Sequence, residues 1–216
     1  MCDLSQSCGV NYLAHMVAGE WAGLSEKARL GNFIGDAVKG RNVEDHWERD
    51  VALGIRFHRA IDDTSDRHPA SKEARALIRP WCGKWSGVVW DVLTDHVLAR
   101  QFPKLAPDCG PLESFVQGQE SALGLRLEAM PFRSQQFFAA MVHHAWLVGY
   151  RDPVVVADVL QAMSQRRETA GPVAHGLEAF QAHERQLTSL GEALLHDMEL
   201  WGKAMNLVSL VPQPGG

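Results

Sequence analysis

Apolar residues recur three and four positions apart along most of the chain: Leu13, Met16 and Val17; Leu30, Phe33, Ile34 and Val38; Trp47, Val51, Leu53, Ile55 and Phe57. This is the helical period, and no stretch shows the strict alternation of a half-buried strand. Pro69 followed by Ala70-Ser71-Lys72-Glu73-Ala74 reads as a loop running into a helix that Pro80 should end or kink. A further helix is predicted from Ser86 to Phe102, then a loop over Pro103–Pro111, with breaks at Met130-Pro131 and Asp152-Pro153. The segments 112–129, 134–150, 154–167 and 173–205 are rich in Ala, Leu, Gln and Glu, which favour helix. The pattern predicts an all-α protein with one compact multi-helix domain over residues 10–207. A polar extension (1–9) precedes it, and a disordered tail (208–216) follows.

At 216 residues the chain is long enough for one full hydrophobic core, and 46% hydrophobic against 22% charged residues argues against disorder. A net charge of −5 gives no support for nucleic-acid binding. The four cysteines, Cys2, Cys8, Cys82 and Cys109, lack CxxC spacing and read as buried or free thiols. The amino terminus carries Asp3 where a secretory leader needs basic and then apolar residues, and no apolar run is long enough to span a bilayer. A cytoplasmic protein without a membrane partner is expected; the oligomeric state is left open.

The candidate chemistry is carried by carboxylates and imidazoles within helical sequence. His58 and Asp62 are four apart, as are Asp91 and Asp95, so each pair projects from one helix face. Two carboxylates at that spacing repel each other unless a cation lies between them, which favours a metal reading for Asp91-x-x-x-Asp95-His96. Each remaining candidate also has a plainer reading. His15 stands among apolar residues and reads alone as a core histidine, Asp36 could pair with Lys39, and Arg59 could pair with Asp62 on the surface. One shared metal site would account for all of these segments together.

Several motifs carry a family resemblance. They are Asn11-Tyr12-Leu13-Ala14-His15, Gly31-Asn32-x-x-x-Asp36-x-x-x-Gly40, Gly54-Ile55-x-x-His58-Arg59-x-Ile61-Asp62-x-Thr64-x-Asp66-x-His68-Pro69 and Asp91-x-x-x-Asp95-His96-x-Leu98. With Trp146-Leu147-x-x-Tyr150-Arg151-Asp152 and Met163-Ser164-x-Arg166-Arg167, they resemble the acyl carrier protein phosphodiesterases, also called acyl carrier protein hydrolases. The resemblance spans nearly the whole chain from Val10. It implies a helical fold distantly related to the HD-domain metal phosphohydrolases. It also implies removal of phosphopantetheine from holo acyl carrier protein, with manganese as the preferred metal. Members of that family commonly begin with a methionine directly before the Asn, a place that Val10 holds here, so either a GTG start at Val10 or a genuine extension is expected.

The chemistry can also be argued from the residues. A phosphodiester is anionic and resists attack, so its oxygens must be neutralised, water activated and the leaving alkoxide stabilised, all of which a divalent cation can do. His15, Asp36, His58, Asp62 and Asp95 are the expected ligands, with His96 or Asp91 completing the shell or orienting it from behind. Such a nitrogen and oxygen set suits manganese or magnesium better than thiolate-rich zinc. Asp36, Arg59 and Asp95 are the candidate catalytic residues, Arg59 because its planar fork matches two phosphate oxygens. Holo acyl carrier protein is the expected partner. Because such a carrier is acidic, the ten Lys and Arg residues between Lys39 and Lys84, joined by Arg166 and Arg167, form a candidate docking face. An HD-like phosphohydrolase for a nucleotide or another small phosphate ester, and a non-catalytic helical binding protein, stay open as alternatives.

Overall fold

The computed structural model describes residues 12–165 and 168–210. Val10, Asn11, Arg166 and Arg167, named above, lie outside the described residues, as does most of the expected tail. Twelve α-helices and several 3-10 turns make up the described residues, with no strand among them. The helices are α1 (Tyr12–Trp21), α2 (Glu26–Ile34), α3 (Arg49–Arg67), α4 (Pro69–Cys82), α5 (Ser86–Arg100) and α6 (Phe102–Leu105). They continue as α7 (Leu112–Gly124), α8 (Phe132–His143), α9 (Trp146–Gly149), α10 (Pro153–Ser164), α11 (Gly176–Ala182) and α12 (Glu184–Ala204).

Helix α5 forms the centre. Val89, Trp90, Val92, Leu93, Val97, Leu98 and Ala99 bury it on every side, as expected of a helix apolar all round, and α1, α4, α10, α11 and α12 pack about it. Its few polar groups therefore need partners within the protein. Trp90 donates its indole N–H to Ser71 Oγ of α4 at 3.1 Å, and Thr94 donates to the Trp90 carbonyl at 2.9 Å.

Helices α2 and α3 form a pair whose backbones touch. A Cβ added at Gly31 would lie 2.0 Å from the Val51 carbonyl oxygen, and one added at Gly54 would lie 1.9 Å from that of Ala28. Only two glycines allow this approach, and it brings the end of α2 against His58 of α3.

Several boundaries differ from the periodicity reading. Pro80 neither ends nor breaks α4, because it lies in the last turn; the helix stops at Gly83, which takes φ +57°. The helix expected over 134–150 is interrupted at Ala145, left-handed at φ 49°, and the one expected over 173–205 is interrupted at His183. The 3-10 turn Leu207–Leu210 carries ordered chain past residue 207, with Leu207 and Leu210 packed against the core. Cys82 and Cys109 are free, and burial pushes each thiol up to about 11. No described helix is long and apolar enough to cross a membrane.

Candidate metal centre

His15 enters the site on α1, and the placement of that helix depends on α5. The first amides of any helix lack intrahelical acceptors. Here the buried carboxylate of Asp95 accepts from Leu13 N at 3.0 Å and from Ala14 N at 2.9 Å. Asp95 is thus an N-terminal cap supplied from another helix, and it fixes α1 one residue before His15.

Asp36 arrives on the 3-10 turn Gly35–Ala37 that ends α2. His58 and Asp62 arrive on one face of α3 at the spacing read from the sequence. A Cβ at residue 35 would fall 2.3 Å from His58 Cγ, so Gly35 leaves the space the imidazole occupies.

These side chains converge. His15 Nε2 lies 3.1 Å from Asp62 Oδ1, and His58 Nε2 lies 3.3 Å from both Asp62 Oδ2 and Asp36 Oδ1. The two imidazole rings are 4.2 Å apart between centroids. One ligand atom from each of His15, His58 and Asp62 lies within 4.8 Å of the others. Despite the short separations, neither Nε2 has the alignment of a hydrogen bond, and both are fully buried without a hydrogen-bond partner.

The opposite ring nitrogens explain this. His58 Nδ1 donates to the Asn32 carbonyl oxygen at 2.8 Å, and His15 Nδ1 faces Asn32 Oδ1 at 3.4 Å. The Asn32 amide nitrogen donates to the His15 carbonyl at 2.8 Å, which fixes which way the amide points. With a proton on each Nδ1, each Nε2 turns a lone pair toward the shared space between the carboxylates, the arrangement by which outer partners orient metal-binding histidines. Two buried imidazole nitrogens without hydrogen-bond partners beside carboxylate oxygens suit a divalent cation.

Burial opposes charge on His58, but Asp36 and Asp62 outweigh it and hold the imidazolium up. Burial likewise pushes Asp62 up, while His15 and His58 outweigh it and bring the carboxyl below its ordinary value. Asp91 of α5 stands behind the cluster. Its carboxyl is raised well above the ordinary range by burial first, then by Asp62, Asp66, Asp95 and Asp36. This concentration of carboxyl groups suits a cation.

The other candidates are placed elsewhere. Asp95 faces the start of α1 rather than the cluster. His96 points away from it, donating Nδ1–H to the Tyr150 carbonyl at 2.6 Å and meeting Phe180 edge to face. The structure does not bring Asp95 or His96 to the group formed by His15, His58, Asp62 and Asp36, because α5 turns one of these side chains to α1 and the other to the α9 end. Arg59 makes no surface pair with Asp62; it donates to the Val38 carbonyl at 2.9 Å. The Thr64–Pro69 motif is structural: His68 accepts from Ala70 N at 3.2 Å as the cap of α4 and pairs with Asp197 at 3.0 Å, while Asp66 pairs with Arg75. Asn32 is the residue sequence reasoning left without a role, although it stood inside a quoted motif.

Comparison with known proteins gives this site its context. The family model described as acyl carrier protein phosphodiesterase matches residues 10–198. The chain belongs to that family. A curated relative from Yersinia pestis, named acyl carrier protein phosphodiesterase, is 34% identical over 84% of this chain and 91% of its own length. One of the same name from Pectobacterium atrosepticum is 32% identical over the same shares, and one from Escherichia coli is 35% identical over 73% of this chain and 79% of its own. No solved structure matches. The matched region of the family model holds every residue of the cluster.

Proposed function

We propose that this protein is a divalent-metal-dependent phosphodiesterase that hydrolyses the bond between phosphopantetheine and the serine of holo acyl carrier protein. The observation that carries the metal part is the pair of buried, donorless Nε2 atoms facing Asp62 and Asp36; the substrate part rests on the names of the relatives. The expected residence is the cytoplasm.

In this reading His15, His58, Asp36 and Asp62 hold the ion, and the nitrogen and oxygen set favours manganese, with magnesium as the alternative. When bound, such a cation offsets charge on the phosphate oxygens and makes water a better nucleophile near neutral pH. Arg59, the residue after a ligand, has one guanidinium nitrogen on the Val38 carbonyl, and its remaining N–H groups serve a phosphate oxygen. Water adds to phosphorus, the phosphorus–serine oxygen bond breaks, and the serine oxygen must receive a proton. That proton is the one the attacking water gives up. Asp95 acts by holding α1 in place, and through α1 it positions His15.

Intact-mass spectrometry tests the reading directly. Holo carrier protein incubated with the protein and manganese should shift to the apo mass, and the shift should vanish with a chelator or with Asp36→Ala. An unchanged mass for metal-loaded protein, with turnover of nucleotides or simple phosphodiesters instead, would replace the carrier by a small phosphate ester.

A further inference from the structure

The structure sorts the basic residues between 39 and 84 into those that hold the fold together and those left for a partner. Arg56 is taken by Glu44, to which its Nη2 donates at 2.7 Å, and Arg67 by Asp63 at 2.6 Å. Arg75 is taken by Asp66 at 2.6 Å, and Lys84 lies over the Trp85 ring. Lys39, Arg41 and Arg49 are exposed and form no ion pair with any described residue. Lys72 and Arg79 of α4 are also exposed and unpaired.

The first group differs from the second in placement and construction. Lys39 and Arg41 flank Gly40, at φ +90°, on the connection that leaves the Asp36 turn. Two arginines of α3 pin this connection by its carbonyls: Arg59 holds Val38 O at 2.9 Å and Arg56 holds Arg41 O at 3.2 Å. Its own acids are largely occupied, Glu44 by Arg56 and Glu48 by Lys27, which leaves Asp45 opposite three free cations. On α4, Glu73 adjoins Lys72, as Asp50 adjoins Arg49. On a chain of net charge −5, the pinned connection is a local positive projection beside the metal-binding cluster.

We propose that the connection from Val38 to Arg49, with Lys39 and Arg41 at its tip, is the docking element for an acidic protein surface, that of the carrier bearing the scissile phosphodiester. This rests on the carrier-protein reading above. Arginine side chains on the Val38 and Arg41 carbonyls hold the backbone on either side of Lys39, which presents this part of the connection with less ordering cost on association. Free charges of this kind act mainly on encounter and are screened by salt.

Three proteins decide it: the wild type, the Lys39→Glu/Arg41→Glu double variant, and a Lys72→Glu/Arg79→Glu variant with the same net-charge change. Binding to apo carrier protein is measured by interferometry over a range of salt, alongside the holo-to-apo reaction and manganese affinity. The loop variant should raise the carrier Kd and KM about tenfold at low salt, with a flattened salt dependence and unchanged kcat and manganese affinity. The α4 variant should stay within about twofold of wild type. Equal losses in both variants would overturn the proposal in favour of diffuse steering, and an unchanged loop variant would overturn it outright. Wild-type binding without cleavage would defeat the phosphodiesterase reading while leaving docking to be judged by the variants. Neither binding nor cleavage would defeat both.

Discussion

The Asn32 main-chain carbonyl accepts the Nδ1 proton of His58 at 2.8 Å, and the same residue's side chain brackets His15 through its Nδ1 and its carbonyl. One residue thereby aims both imidazoles. Its two halves separate by mutation, because Asn32→Ala removes only the side-chain contacts to His15. Manganese affinity measured by calorimetry should fall about tenfold, the low end of the usual outer-partner effect, with helicity preserved. An unchanged affinity would show that α1 alone orients His15.

Metal affinity should depend on pH with a definite sign. In the ion-free protein, Asp36 and Asp62 hold the His58 proton beyond the ordinary imidazole range, so this pairing contributes stability below about pH 6.5 and loses it as pH rises through the raised folded value. The ion must displace that proton. Affinity should therefore weaken as pH falls through this range, with proton release on binding. Calorimetry at about pH 6.5 in buffers of different ionisation enthalpy measures the release, and its absence would remove His58 from the ligand set.

Asp95 should shift stability in the same direction as His58, over a wider range. Burial raises its carboxyl to about 8, against two backbone amides that pull it down. An unfolded aspartate ionises near 3.8, so stability should decline as pH climbs from there and level off beyond the folded value. Asp95→Asn keeps one acceptor for the start of α1 and cannot ionise. At pH 5 it should be less stable than wild type by about 1 kcal/mol, and the order should reverse before pH 8, because wild type alone loses about 1.4 kcal/mol per pH unit in between. Chemical denaturation across this pH range checks it; parallel curves would mean that Asp95 does not titrate there.

Gly31→Ala should be among the costlier substitutions of a small residue. Its Cβ would meet the Val51 carbonyl at 2.0 Å, a rigid backbone atom, so α2 and α3 must separate. A loss of about 1–3 kcal/mol is expected, together with weaker manganese binding because His58 shifts relative to Asp36. Gly118→Ala on α7, which has open space at its Cβ, serves as the control.

The helical architecture was legible because its period runs through the whole chain, and His58 and Asp62 were legible because four-residue spacing fixes their common face. The breaks at Ala145 and His183 were not, since neither carries the glycine or proline that marks a turn locally. Asp91 and Asp95 share that four-residue spacing too, but α5 is buried on all sides, so spacing could not say which neighbour each side chain meets. Asn32 escaped because its bond to His58 comes from the main chain, which every residue type possesses.

His15, Asp36 and the His58–Asp62 pair belong to three separate segments, and none of these segments could assemble the donor set alone. An ion seated among them would recognise only the folded chain, and at a hundredfold excess over its dissociation constant it would add about 2.7 kcal/mol to stability. The melting temperature would then follow the free cation concentration. In a cell starved of that cation, the protein would be exposed to proteolysis, and its abundance would fall together with its turnover rate.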